Sequence, residues 1–192
     1  MTTYRNIHGR AIQSLATDPT ESVAEGQIWY NTASDTFKSI VSSQAWSSSA
    51  SLNTARIQLS GAVSSPNTAS LAFGGDTPGV TGATEEYNGS GWSNGGSLST
   101  ARRLGAGAGT QTAALYFGGN PPASSATTTE EYGGASWTSG GALPVAKGGL
   151  AGCGLQTAAL AFGGSPPTRD TSEEYDGSSW TEIGRASCRE RV

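Results

Sequence analysis

Histidine is almost missing from this 192-residue chain, cysteine is scarce and charge is thin, and each shortage narrows what the protein can do. The one histidine, His8, stands near the N-terminus, whereas nucleophilic triads and catalytic zinc or copper centres draw on more imidazole than that. Two cysteines, Cys153 and Cys188, cannot make a disulfide framework, and neither has a neighbour at metal-ligand spacing. Cys153 lies in a Gly-Leu-Ala-Gly-Cys-Gly run and reads as a small buried residue rather than a reactive thiol. Charged residues make up 14% of the chain, the formal net charge is −4, and the only basic patch is at the extreme C-terminus. A surface that tracks nucleic-acid phosphates is therefore not expected. No stretch has the apolar length of a membrane span, and the opening MTTYRNIHGR lacks the apolar core of a secretory signal. Neither membrane insertion nor export by the general secretory route is expected.

Glycine is plentiful at 28 residues, with serine and threonine filling much of the rest. Such chains form many short strands joined by tight turns, unless low hydrophobicity leaves them disordered. Regular aromatic spacing decides against disorder. The double glycine recurs at Gly74-Gly75, Gly118-Gly119 and Gly163-Gly164, the tyrosine at Tyr87, Tyr132 and Tyr175, and the tryptophan at Trp92, Trp137 and Trp180, five residues after its tyrosine. A basic residue recurs at Arg56, Arg102 and Lys147. The shared period, about 45 residues, suits four short strands with their turns, which is one propeller blade.

Within the period, the small-residue run Leu104–Gly109 and its counterparts suit a first strand near a crowded axis. A second strand precedes the double glycine, with Leu71 and Phe73, Leu115 and Phe117, or Leu160 and Phe162 on one face. Alanine or tyrosine fills the other face, as a strand buried between neighbouring sheets requires. A third strand carries Glu-Glu-Tyr, and turns such as Asn-Gly-Ser and Asp-Gly-Ser lead to a tryptophan strand.

A double glycine followed by spaced Tyr and Trp resembles the kelch motif of galactose-oxidase-type propellers, over about 130 residues. The resemblance implies an all-β, partial (open or truncated) kelch-like β-propeller with blades of four antiparallel strands. About three full repeats follow a partial first one. It implies structural roles for Gly74, Gly75, Tyr87, Trp92, Gly118, Gly119, Tyr132, Trp137, Gly163, Gly164, Tyr175 and Trp180, with Tyr and Trp packed between blades. The interval from Tyr to Trp is about one residue shorter than the usual kelch spacing, which leaves the register of the last two strands open. Galactose oxidase holds copper with Tyr and His ligands, and a single histidine does not reproduce that set, so oxidase chemistry is not implied.

The ends differ from the middle. Residues 1–50 form an N-terminal β segment, in which GQIWYNTASDTFKSIVSSQAW reads as two or three strands with Asn31–Asp35 as a turn. Trp46 and the following SSSASLNTAR echo Trp92 and SNGGSLSTAR, so residues 36–55 read as the outer half of a degenerate blade. The wording GQIWYNT, then a turn and Thr-Phe-Lys, also resembles short β segments of bacteriophage tail-fibre and other virion proteins. Repeats fill residues 51–182, divided near 51–97, 98–142 and 143–182. Residues 183–192 resemble a translated sequencing-library adapter and read as a non-native tail. Without it basic and acidic residues fall from 11 and 15 to 8 and 14, and the basic patch disappears. Closed propellers need about four blades or more, so the natural protein is expected to have further blades and this chain to expose unpaired faces.

The pairs Glu85-Glu86, Glu130-Glu131 and Glu173-Glu174 suggest acid–base carboxylates, but neighbours in a strand point to opposite faces and cannot flank one bond. Repetition in every blade favours structure, with one Glu of each pair bonded to Arg56, Arg102 or Lys147 or capping backbone donors. The double glycines lack the Lys-Ser/Thr element of a phosphate loop. No catalytic residue, metal or cofactor is expected. Function is expected in the variable connections that follow the double glycines, opened by Asp76, Asn120 and Ser165, as candidate ligand-facing loops. The leading reading is a non-enzymatic virion-associated module, a phage tail-fibre or related appendage, that binds a host-surface glycan or protein and other virion proteins. A homo-oligomer is compatible with it. The alternatives are an intracellular kelch scaffold for protein partners, and a fragment of a propeller enzyme that lacks its active site.

Overall fold

The computed structural model describes residues 13–17, 28–39, 48–122, 124–166 and 170–185. The chain divides into two compact units, Met1–Ser48 and Ser49–Val192. In the first, β1 (Gln13–Leu15), β2 (Ile28–Asn31) and β3 (Thr36–Ser39) make a three-stranded sheet. The antiparallel hairpin of β2 and β3 turns at residues 32–35, where Asn31 Oδ1 accepts the amides of Ala33 and Ser34, both at 3.0 Å. That matches the Asn-to-Asp turn expected from sequence. Strand β1 pairs parallel to β2, a pairing that three residues gave no periodic signal for. Residues 40–47, including Trp46 and a possible third strand of that stretch, lie outside the described residues.

The second unit is a row of three antiparallel four-stranded sheets, a blade arrangement like that of a β-propeller. The first blade is β4 (Ser60–Gly61), β5 (Ser70–Phe73), β6 (Thr84–Tyr87) and β7 (Trp92–Asn94). The second is β8 (Ala106–Thr110), β9 (Ala113–Phe117), β10 (Thr129–Tyr132) and β11 (Trp137–Ser139). The third is β12 (Ala151–Leu155), β13 (Ala158–Phe162), β14 (Thr171–Tyr175) and β15 (Trp180–Arg185). Each runs as a meander in chain order. The register left open by the sequence is the same in all three: Tyr87 faces Trp92, Tyr132 faces Trp137 and Tyr175 faces Trp180 across the outer hairpin. Their rings lie 4.9–5.1 Å apart.

The inner strand starts two residues later than the small-residue run suggests. Leu104 takes a left-handed conformation at φ 57°, and Arg103 forms an isolated bridge to Asn120, so the ladder begins at Ala106. Inner strands β4, β8 and β12 lie side by side. The turn after β4 reaches across the others, with Ser64 N–H donating to Gly109 O at 2.9 Å and Ser64 Oγ to Gly154 O at 2.9 Å.

The core sits between blades rather than within them. One cluster joins Leu71, Phe73 and Leu98 of the first blade to Tyr116, Tyr132 and Trp137 of the second. The other joins Leu115, Phe117 and Leu143 to Ala159, Tyr175 and Trp180. Burying a side chain such as Phe73 or Phe117 contributes roughly 1.5–3 kcal/mol, so cohesion resides in the seams. Strand β15 runs three residues into the segment read as a foreign tail, and residues 186–192 lie outside the described residues.

Candidate functional site

The repeated carboxylates build the scaffold: the first member of each pair within its own blade, and Glu86 and Glu131 towards the following blade, while Glu174 is exposed. The first Glu of each pair, Glu85, Glu130 or Glu173, is no more than 1% exposed. Glu130 Oε1 meets Arg102 Nη1 at 2.5 Å, and its other oxygen accepts Ser99 N–H at 2.7 Å and Ser99 Oγ at 2.6 Å. Glu85 repeats this with Arg56 at 3.2 Å and the amide of Asn53 at 2.6 Å. The basic residue ties the next strand in as well, since Arg102 Nη2 donates to Tyr116 O at 3.1 Å and Arg56 Nη2 to Ala72 O at 3.3 Å. In the third blade Pro144 occupies the place of Ser99 and offers no N–H. There Glu173 holds Lys147 and accepts the Thr171 hydroxyl at 3.1 Å.

The second Glu points the other way, as strand alternation requires. Glu86 accepts the hydroxyl of Tyr132, and Glu131 that of Tyr175 at 2.5 Å, so each reaches the following blade. Burial, and then the hydrogen bond to the carboxylate, push both tyrosines up to about 12. Trp137 Nε1 donates to Thr84 Oγ1 and Trp180 Nε1 to Thr129 Oγ1, each at 2.9 Å. Phe73 lies edge-on to Trp137 at 4.9 Å, and Phe117 lies 4.7 Å from Trp180. Tyr132, Trp137, Tyr175 and Trp180 thus pack between blades, whereas Tyr87 and Trp92 meet the chain leading into the first blade, at Ser49 and Ala50.

The double glycines close the same seams. Gly75 N–H donates to Arg102 O at 3.0 Å and Gly119 N–H to Lys147 O at 2.9 Å. Gly118, at φ 64°, leaves room for the Lys147 carbonyl, which an added Cβ would meet at 2.7 Å. Two seam residues carry no expectation from sequence. Gln111 Nε2 donates to Ser70 O at 3.0 Å and Tyr87 O at 2.6 Å, and Gln156 Nε2 to Ala114 O at 3.0 Å and Tyr132 O at 2.8 Å. The shared Gln-Thr-Ala-Ala-Leu of the two blades was the signal that could have found them.

Asp76, Asn120 and Ser165 each form an isolated bridge to the residue after the repeated base, namely Ile57, Arg103 and Gly148. They anchor the bases of their loops. Asp76 also forms an ion pair with Arg103 of the next blade. Beyond them, Pro78, Gly79, Pro122, Ser124 and Pro166 are exposed at one end of the blades. Meander topology puts the blade-to-blade connections at that same end.

Cys153 corrects one expectation, for it is exposed rather than buried. Its counterpart Ala108 is fully buried in the seam with the third blade, whereas Cys153 stands on the far side of that blade. His8 and Cys188 lie outside the described residues. Among the described residues, no helix is long and apolar enough to cross a membrane, and no three His, Cys, Asp or Glu gather as a metal site. No protein-family profile matches the chain, and no curated protein matches it.

Proposed function

We propose that the chain is a non-enzymatic binding and structural module: a kelch-like propeller array from a phage tail fibre or related virion appendage. Its loop end recognises a host-surface glycan or protein. The observation that carries this reading is that the repeated bases and first glutamates are engaged within the blades, and Glu86, Glu131, Tyr132, Tyr175, Trp137 and Trp180 between them. Chemistry left for a partner then falls to the loop tips, which vary from blade to blade while the strands beneath them repeat. The β2–β3 hairpin, with its Gly-Gln-Ile-Trp-Tyr-Asn-Thr wording, supports an attachment role towards other virion proteins.

Binding of the purified chain to a bacterial-surface glycan array and to intact bacteria tests the reading. Retention is expected to fall at least tenfold when residues 77–82 and 121–125 are exchanged for Gly-Ser loops of equal length. Binding that survives both exchanges, or selective capture of a soluble protein instead of surface glycan or surface protein, would favour an intracellular scaffold.

A further inference from the structure

Two seams repeat one set of contacts, and the third blade presents the receiving half of that set on its far face. In the covered seams Leu71 and Leu115 are 2% and 0% exposed, and Phe73 and Phe117 are both 0% exposed; the matching Leu160 and Phe162 are 38% and 42% exposed. Glu86 and Glu131 each accept a tyrosine hydroxyl from the next blade, while Glu174 is exposed. Thr84 and Thr129, paired across the sheet with Phe73 and Phe117, accept an indole N–H, and Ser172, paired with Phe162, is the third member of that series. Carbonyls of Ser70 with Tyr87, and of Ala114 with Tyr132, receive one glutamine; those of Ala159 and Tyr175 occupy the same register. A Cβ added at Gly74 or Gly118 would meet the next blade's carbonyl at 2.6 or 2.7 Å, but at Gly163 it would meet nothing within 4 Å.

We propose that this face, with Leu160, Phe162, Ser172 and Glu174 at its centre, is the docking surface for a fourth four-stranded blade of the same repeat. Independently of any ligand at the loop end, the occupant is specified by what the two covered faces receive. An inner strand must bring a glycine over Phe162, because a Cβ at Gly107 would meet Phe73 Cζ at 2.9 Å and one at Gly152 would meet Phe117 Cζ. The following turn must bring a glutamine carboxamide, the third strand a tyrosine hydroxyl for Glu174, and the fourth an indole N–H for the Ser172 hydroxyl. A lone peptide strand cannot supply groups that come from three strands of one sheet. A second copy of this chain fits less well. Its first blade offers Asn67, one methylene shorter, at the glutamine position. Its Trp92 N–H is engaged with Ala50 O at 3.1 Å, and its Tyr87 hydroxyl with Gly89 O at 2.9 Å.

The test compares the 192-residue chain with one extended after Glu182 by a second copy of residues 140–185. Cys188→Ala in the first, and alanine for the added copy's own cysteine in the second, leave the original Cys153 as the reporter thiol. Labelling of Cys153 by a maleimide is expected to slow at least tenfold in the extended chain, with a rise in Tm of about 5 °C or more. Glu174→Ala is expected to leave the Tm of the 192-residue chain unchanged and to reduce the rise in the extended one. Undiminished Cys153 labelling, or a Tm gain indifferent to Glu174→Ala, overturns the proposal. So does a dimer of the 192-residue chain, seen by sedimentation velocity, in which Cys153 is protected, because the occupant would then be a second copy.

Discussion

Glu130 and Arg102 have no exposed side-chain surface, and such a pair is dangerous to break. Removing one partner leaves the other charge buried without compensation, at a cost of about 3–5 kcal/mol. Glu130→Ala is therefore expected to unfold most of the second unit at 25 °C, read as loss of tryptophan fluorescence shift and of the cooperative urea transition. Arg102→Lys is the milder change: it keeps the ion pair, as Lys147 does in the third blade, and loses the bond to Tyr116 O, at about 1 kcal/mol. The seam tyrosines give a pH signature. Tyr132 and Tyr175 ionise at about 12 in the folded protein, above the ordinary 10 of an unfolded chain. Their contribution is complete below pH of about 10 and is lost as pH rises towards 12, because the unfolded state releases its protons first. The urea midpoint is expected to fall across that window. The Tyr132→Phe and Tyr175→Phe double variant is expected to show a shallower fall from a lower starting midpoint.

At the scale of the element, close approach and not turn geometry governs the inner strands. A Cβ at Gly107 would meet Gly61 O and Phe73, whereas one at Gly133 would meet nothing within 4 Å. Gly107→Ala is thus expected to cost about 1–3 kcal/mol through overpacking, and Gly133→Ala to stay within about 0.5 kcal/mol, both by urea denaturation. Much of this was legible beforehand. Period-two alternation placed Leu115 and Phe117 on one face of β9, and the small-residue run marked β8 as the crowded strand. The partners of the glutamates were only half legible. Alternation said that Glu130 and Glu131 part company, but not that each would find a use. That depends on the offset between sheets, which no single repeat encodes. The same offset hid Gln111 and Gln156, polar residues at a turn whose role appears only when the preceding blade lies beside them. Cys153 was misread because a local run of small residues predicts burial only where a neighbouring sheet is present.

At the scale of the whole second unit, the buried clusters form a line, first blade to second and second to third, with the turn at Ser64 also reaching Gly154 of the third. Arrays of this kind lose their order from the less covered end. In native-state hydrogen exchange, the amides of β13 and β14 are expected to exchange before those of β9 and β10, although both pairs have complete ladders. Equal protection would show that the exposed Leu160 and Phe162 carry no energetic consequence. The seams also have a polarity. In both covered seams one face holds the carboxylate, the threonine and the phenylalanine, and the opposite face of the next blade brings the hydroxyl, the indole and the glycine. A crossover between the DNA of the second and third repeats would therefore join a complete donor face to a matching acceptor face. Such a gene can lengthen or shorten by whole units, and its loop tips can diverge freely, while every junction inherited by the offspring still fits.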